Sequence, residues 1–280
     1  MRTLSKRILM IALGLLAGSS PASMFLQDSD PPSPTPPVPE TETTILDVDE
    51  LLLRLETAAE GLRDFQSPLT FVREDTLGAR TTFAGRMVYQ AVPREGEPAM
   101  KRFAIHFETR IADGRRWDRD ERFIFDGRWL AEINHQEKAF IQREIVEPGR
   151  TFDPLKLGEG PFPLPIGQPR EEVKQRYETK LIDPPSEGFL SQVLRTPVYG
   201  LELIPRQGTA EYDDYEYVHV FYDQKTFLPV AVDAMGFSER QIVWLRDMQV
   251  NKGIDEAEVT IRAPGADSGW SISIRPWGDG

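Results

Sequence analysis

The sequence predicts a mainly β protein of the α+β class, built as a curved antiparallel sheet or incomplete β-barrel. From Leu69 onward, apolar and polar residues alternate with a period of two, the period of a half-buried strand. Short turns separate these segments, and such turns join antiparallel neighbours, because parallel strands need long crossovers. A single amphipathic helix precedes the strands and covers only part of so large a sheet. We therefore expect the sheet to curl around a core or a hydrophobic cavity.

The predicted helix begins after Asp47, whose carboxylate suits an N-cap, and continues through Glu60. Its apolar residues recur at the i, i+3, i+4, i+7 spacing and share one face: Leu51, Leu52, Leu55, Ala58, Ala59 and Leu62. Charged residues occupy the opposite face. The apolar face of such a helix must pack against another element, and here that element is the sheet.

The alternating segments fall into two groups along the chain. They are residues 81–92, 102–109, 116–125, 128–135 and 138–146, then 218–222, 229–234, 241–249 and 256–262. The pair Asp126-Gly127 is a tight-hairpin signal between two of them. A short helix is expected from Pro169 to about Tyr177, with proline in its first turn. The acidic run 211–216 is interpreted as a solvated turn, because it lacks the spacing of a calcium loop.

Residues 148–169 separate the two groups and are rich in proline and glycine, yet they carry apolar side chains. Apolar side chains on such a segment need a surface to bury them, so we expect it to lie as a lid across one opening of the sheet. The predicted lid residues are Phe152, Leu155, Leu157, Phe162 and Leu164.

The start of the chain has the features of a secretory signal peptide over residues 1–22. Basic residues precede the apolar run 8–17, and small residues follow it. This run is shorter than the ~20 residues that a bilayer span needs, so we expect cleavage after Ala22 and export to the periplasm.

Two further parts follow the signal peptide. Residues 23–46 include six prolines between positions 31 and 39, which predicts an extended, disordered linker. Residues 47–280 then form the folded half-barrel domain.

Composition excludes several classes of function. The formal net charge is −12, which repels phosphate backbones and disfavours nucleic acid as a partner. The chain has no cysteine, so it has no disulfide, no thiolate chemistry and no lipid-modified cysteine. His106, His135 and His219 lie on three different predicted strands and form no metal-binding motif. We therefore expect no cofactor, no metal and no enzymatic activity.

The strands are rich in aromatic and thioether side chains, which suit the wall of an apolar cavity. The residues assigned to this wall are Phe83, Met87, Tyr89, Phe103, Ile105, Phe107, Phe123, Phe125, Trp129 and Trp244. The residues alone leave a filled core and a ligand cavity both open. Strand parity is not fixed by sequence either, so some of these side chains are expected to face away.

The order of features resembles the periplasmic outer-membrane lipoprotein carrier (LolA-like) family, as a divergent member. The resemblance rests on Leu62, Phe65-Gln66, the stretch from Gly85 to Tyr89, Arg102-Phe103, the 125–127 hairpin, Leu228-Pro229, the stretch from Asp233 to Gly236, Asn251, Ile254 and Pro264-Gly265. The chain departs from the family at Val259, where an aromatic residue is usual. It also departs at the longer turn 91–100, and at 148–169, which is unlike a short helical lid.

This resemblance implies a non-enzymatic periplasmic carrier that binds acyl chains of lipoproteins, or related lipids, for transfer to the outer membrane. Its partners would then be an inner-membrane release complex and an outer-membrane acceptor, and we expect a monomer. An envelope lipid or lipoprotein sensor or adaptor on the same fold is the alternative. A hydrolase of an envelope glycan or lipid remains a third, because paired carboxylates meet only in space.

Overall fold

A computed structural model describes residues 47–147, residue 155 and residues 164–278. The predicted signal peptide 1–22, the predicted linker 23–46 and most of the predicted lid lie outside these residues. No helix among the described residues has the length and apolar character needed to cross a bilayer.

Thirteen strands and three helices make up the described chain. The strands are β1 (Asp64–Asp75), β2 (Arg80–Arg94), β3 (Glu97–Ala112), β4 (Arg115–Phe125), β5 (Trp129–Asn134), β6 (Ala139–Glu144), β7 (Tyr177–Ile182), β8 (Val198–Pro205), β9 (Tyr215–Asp223), β10 (Pro229–Gly236), β11 (Glu239–Leu245), β12 (Gln249–Val250) and β13 (Ser271–Arg275). The helices are α1 (Val48–Glu60), α2 (Arg170–Arg176) and α3 (Gly188–Val193). Asp47 caps α1 as predicted, its Oδ1 accepting from the Glu50 N–H at 2.8 Å.

All thirteen strands belong to one sheet in the order β13-β6-β5-β4-β3-β2-β1-β11-β10-β9-β8-β7, with β12 paired beside β1. Every pairing is antiparallel except that of β13 with β6. The β1–β11 pairing joins the two meanders in the middle, and β13 and β7 form the two open edges. The predicted curved antiparallel sheet, an incomplete β-barrel, is confirmed.

The concave face of this sheet carries the main core. Phenylalanine rings form a row across its first four strands. Phe71, Phe83 and Phe107 all contact one another: the Phe71 ring lies 6.2 Å from each of the other two, which are 5.3 Å apart. Phe123 extends the row from β4, edge-on to Phe107 at 6.0 Å. Such offset and edge-on contacts add to the stabilisation from apolar burial. Leu51 and Leu52 of α1 are buried in the same cluster.

The convex face carries two smaller clusters, each with its own covering segment. The C-terminal arm, residues 251–270, covers one cluster through Val259, Ile254 and Trp270. Helix α3 covers the other, where Leu190 packs with strand residues that include Phe221. Both faces of the sheet are therefore partly shielded from water.

Residues 256–262, predicted as a strand, instead contain a 3-10 turn over Glu256–Val259. Asp255 caps this turn by accepting from the Ala257 N–H at 2.9 Å. Glu258 pairs with Arg86 at 2.6 Å, and Val259 is fully buried on the convex face. The alternating polar and apolar residues that predicted a strand thus belong to a turn. This turn holds the C-terminal arm against the sheet.

Strands β7, β8 and β13 were not predicted. In β8, Gly200 and Pro205 are poor strand residues and hide its pattern. Gly200 is required there, because a Cβ at this position would lie 2.4 Å from the carbonyl oxygen of Ile182. It marks a close approach of two backbones.

The substitution Gly85→Ala tests how closely the central strands pack. Gly85 lies at an irregularity in the β2–β3 register, and a Cβ would come within 1.9 Å of the His106 carbonyl oxygen. We expect Gly85→Ala to lower the free energy of unfolding in urea by about 3 kcal/mol, because neither backbone yields easily. Gly61→Ala is the control: nothing lies within 4 Å of its added Cβ and its φ is −85°. It should be neutral or stabilising by about 0.5 kcal/mol. Equal effects would contradict the close packing.

Candidate functional site

The concave face collects most of the residues predicted to form a cavity wall. Alternation along β2, β3 and β4 turns eight of the ten to this side, each at most 3% exposed: Phe83, Met87, Tyr89, Phe103, Ile105, Phe107, Phe123 and Phe125. The sheet therefore presents one continuous apolar surface. Its role in binding a ligand stays a prediction.

The two tryptophans of the predicted wall lie elsewhere. Trp244 packs on the convex face against α3, with its ring 5.9 Å from that of Phe189. Its neighbours Val243 and Leu245 hold the concave positions of β11. Trp129 is partly exposed and lies outside the concave cluster, in which Leu130 takes its place.

Two of the predicted lid residues lie on the concave face. Leu155 and Leu164 are buried in its cluster, at 1% and 0% exposure. Phe152, Leu157 and Phe162 lie outside the described residues. Leu164 begins a segment that runs through α2, and this segment packs beside α1.

Helix α1 and residues 164–176 together form what we call the cover. Three contacts join its two parts. A Cβ built on Gly167 would lie 2.6 Å from the Ala59 Cβ, so the Gly167 backbone, with a φ of +68°, packs directly against the Ala59 methyl group. Lys174 Nζ lies 2.7 Å from Asp49 Oδ1. The Arg170 N–H donates to Glu56 at 3.4 Å.

The cover meets the sheet largely through apolar side chains. Leu164, Ile166 and Val173 are buried against the concave cluster together with the apolar face of α1. The Arg54 guanidinium lies over the Phe227 ring, 5.5 Å from its centroid. Apolar contact is non-directional, so this boundary can separate and re-form without a fixed hydrogen-bond pattern.

The side chain of Asn251 anchors the end of α1. Its Nδ2 donates to the Gly61 carbonyl at 2.8 Å, and its Oδ1 accepts from the N–H groups of Arg63 at 2.8 Å and Asp64 at 3.3 Å. Asn251 has a φ of +54°, in the left-handed region that asparagine tolerates. One side chain thereby fixes the junction between the cover and β1.

A buried ion pair anchors the other end of the cover. Arg176 at the end of α2 pairs with Glu211, which is 3% exposed. Glu211 lies in a 3-10 turn over Ala210–Asp213 before β9. The predicted solvated turn is therefore wrong at Glu211, because the carboxylate is withdrawn from water to meet the guanidinium. Among the described residues no group of three histidine or carboxylate side chains is placed to hold a metal ion.

A small void lies in the seam between the cover and the sheet, with a volume of about 20 Å³. Its walls are Leu52, Leu55, Ala59, Pro165, Ile166, Gly167, Gln168, Val173, Leu201, Leu203, Tyr222, Phe227, Leu228 and Pro229. Burial raises the pKa of Tyr222, so its phenol stays neutral. The seam is thus an apolar space with a few neutral polar groups.

A second, open groove of about 410 Å³ lies beside the seam, at the ends of β10 and β11. Leu228 borders both hollows and is 5% exposed. The groove is lined by apolar side chains that include Trp244 and Met248, with Arg195 and Arg246 among its polar residues. Leu228 is therefore the one residue that lines both the open groove and the void under the cover.

The densest group of titratable side chains lies on the convex face, away from the seam. His106 Nε2 is 2.9 Å from Asp120 Oδ1, and His135 Nδ1 is 3.4 Å from the same oxygen. Burial lowers the pKa of His106, and Arg122 acts in the same direction against Asp120 and Glu108. None of the described residues that line the seam is a histidine or a carboxylate.

Comparison with known proteins gives distant structural likeness. No family model and no curated protein matches the chain. The crystal structure of MucB is 18% identical, covers 76% of this chain and 62% of its own, and has a TM-score of 0.40. The chain thus spans less than two thirds of MucB. An uncharacterised conserved protein from Thermus thermophilus is 10% identical over 81% of this chain and 98% of its own, with a TM-score of 0.43.

A LolA superfamily protein from Nitrosomonas europaea is 11% identical over 77% of this chain and 99% of its own, with a TM-score of 0.33. Proteins described as LolA superfamily and lipoprotein-sorting proteins are thus among the similar structures, as the resemblance stated from the sequence led us to expect.

Asn251→Gly tests the anchor of the cover while keeping the left-handed backbone. We expect it to lower the free energy of unfolding by about 2 kcal/mol, because three hydrogen bonds are lost. Amide hydrogen exchange at Arg63 should accelerate. Lys252→Ala, at an exposed position next to it, is the control and should change neither quantity. Unchanged exchange at Arg63 in the glycine variant would show that Asn251 does not hold this junction.

His106→Gln tests the convex polar cluster. The pKa of His106 is lowered in the folded state, so folding disfavours its charged form. Its contribution to stability is present above the unfolded pKa of about 6.5 and is lost as the pH falls below that value. Urea titrations at pH 7.5 and pH 5.5 should show a smaller loss of stability in the variant than in the unaltered protein. An equal loss would mean that His106 does not contribute to the pH dependence.

Proposed function

We propose that this chain is an exported, non-enzymatic carrier that holds acyl chains of lipoproteins, or related lipids, between the cover and the concave face. The observation that carries the proposal is the seam. A continuous apolar surface of aromatic, aliphatic and methionine side chains meets a separate cover through apolar contacts. None of the predicted wall residues lines the void, which lies between the cover and the β8–β9 side of the sheet. Periplasmic location, an inner-membrane release complex and an outer-membrane acceptor belong to the same proposal.

The energetics of acyl transfer favour such a surface. Withdrawing an acyl chain from a bilayer costs about 0.8 kcal/mol per CH₂, or roughly 12 kcal/mol for sixteen carbons. A carrier has to offset this cost with apolar contacts, and it must also release the chain. Phenylalanine and methionine side chains supply large apolar area without demanding fixed polar partners.

In this proposal the structure is the closed state of the carrier. Ligand cavities usually measure about 300–1,000 Å³, whereas the seam void measures about 20 Å³. Uptake therefore requires the cover to move away from the sheet. The apolar contacts that this movement breaks would be replaced by contacts with the ligand, so opening and loading are coupled.

The open groove offers a route to the seam. Its volume of about 410 Å³ lies within the usual range for ligand sites, and Leu228 alone is shared with the seam void. An acyl chain that enters the groove would pass Leu228 to reach the underside of α1. The convex histidine cluster takes no part in this mechanism.

Leu55→Ala tests the opening of the cover. Leu55 lines the void from α1 and is half-buried, so its truncation weakens contact between cover and sheet by about 1.4 kcal/mol. If uptake requires opening, the open population rises and the rate of uptake increases about tenfold. Stopped-flow measurement with a fluorescently labelled methyl ester of a sixteen-carbon fatty acid reports this rate, and native mass spectrometry reports the bound stoichiometry.

Leu53→Ala is the matched control, since Leu53 is 50% exposed on the outer face of the same helix. It should leave the rate of uptake unchanged. A Leu55→Ala variant that is less stable yet takes up the probe no faster would argue against a moving cover. Absence of bound probe in the unaltered protein would overturn the proposed function.

A further inference from the structure

Gln168 is a buried polar residue whose side chain has a donor without a partner. It is 9% exposed, and its Nε2 finds no hydrogen-bond acceptor. Buried amide groups are nearly always hydrogen-bonded, because an unpaired donor loses its water without compensation. An exception next to an apolar void therefore calls for an explanation.

The position of this amide is fixed by its neighbours. Pro165 and Pro169 restrict the backbone on either side of Gln168. Gly167 packs directly against Ala59 of α1, with no room for a Cβ. The side chain is therefore held in the wall of the seam by a stiff segment.

The other buried donors without a partner lie away from this space. They are the Nε atoms of Arg102 and Arg110 and the hydroxyl of Tyr177. None of these residues lines the seam void. Among the described residues that line the void, Gln168 alone combines burial with an unpaired donor atom.

We propose that the Gln168 side chain donates a hydrogen bond to the carbonyl oxygen of an acyl ester or amide, and so recognises the linked end of a bound chain. This inference rests on the proposed carrier function and deepens it. The hydrocarbon would lie against the apolar walls of the seam, and the carbonyl is the first polar atom that follows it. One neutral amide satisfies one carbonyl oxygen.

The same chemistry disfavours a free fatty acid. Its carboxylate would bring a charge into the seam, and none of the described residues that line the void carries a cation to balance it. A buried charge without a partner costs far more than a buried neutral carbonyl. The site should therefore prefer chains that are esterified or amide-linked, as they are on a lipid-modified protein or a glycerolipid.

Competition between matched ligands tests this preference. Methyl hexadecanoate and hexadecyl methyl ether are both neutral and carry the same chain, but only the ester has a carbonyl. Each would be titrated against the fluorescent methyl ester bound to the full chain. We expect the ester to compete about fivefold better than the ether, and Gln168→Leu to reduce this ratio to about one.

The proposal also predicts the ether affinity and the stability of the Gln168→Leu variant. Gln168→Leu should bind the ether at least as well as the unaltered protein and should be no less stable in urea, because it removes an unsatisfied donor. Gln168→Met, which is unbranched and of similar length, repeats the comparison if leucine disturbs the packing.

The two proposals fail in different ways. An ester-to-ether ratio that stays near fivefold in both variants would overturn the role of Gln168 and leave the carrier function standing. A ratio near one in the unaltered protein would likewise overturn the role of Gln168 and leave the carrier function standing. If no acyl compound binds the unaltered protein, the carrier function itself is wrong, and the inference about Gln168 fails with it.

Discussion

The pairing of β1 with β11 is the constraint on which the molecule depends. It aligns Leu69 with Leu245 and Val72 with Ile242, and so brings together segments that are more than a hundred residues apart in sequence. The Ser67 hydroxyl strengthens this line by donating to the Arg246 carbonyl at 2.7 Å. Without this pairing the chain would form two separate meanders, and neither would enclose the apolar face that α1 covers. Because its contacts are distant in sequence, we expect the pairing to form late and slowly in folding.

Polar and apolar interactions have different roles in the cover. Directional contacts join its two parts and fix its two ends, at Asn251 and at the Arg176–Glu211 pair. The surface between these anchors is apolar and non-directional. A part that is stiff, hinged at its ends and held down by apolar contact can lift as a unit. This arrangement would permit the opening that the proposed carrier function requires.

Much of the fold could be predicted from local pattern. The helical spacing after Asp47 and the alternation from Phe83 to Phe125 were enough to define α1 and the concave face of β2, β3 and β4. Trp244 was misplaced, because alternation tells which residues share a face but not which face is concave. The turn at Glu256 was predicted as part of a strand, because acidic and apolar residues alternate along it just as they do along a half-buried strand.

Other features depend on partners that the sequence does not reveal. Glu211 is one of a run of acids, and only the fold brings Arg176 to it. Gln168 is a lone polar residue in a proline-rich segment, and no sequence signal distinguishes it from a solvated loop residue. Its environment comes from α1, more than a hundred residues earlier in the chain. Sites formed where a cover meets a sheet are thus the hardest to anticipate.

The lone parallel strand β13 has a consequence for how the molecule behaves in a crowded compartment. Strand β6 would otherwise offer a row of free backbone groups along an apolar segment that includes Phe140, and such a row is a template for pairing with another chain. By lying along this row, β13 moves the exposed boundary outward to a short strand in which two serines and Arg275 alternate with the exposed Ile272 and Ile274. The last strand of the sheet thus covers β6 but is itself an open edge, so β13 and not β6 is where the backbone of another chain could pair on this side of the sheet.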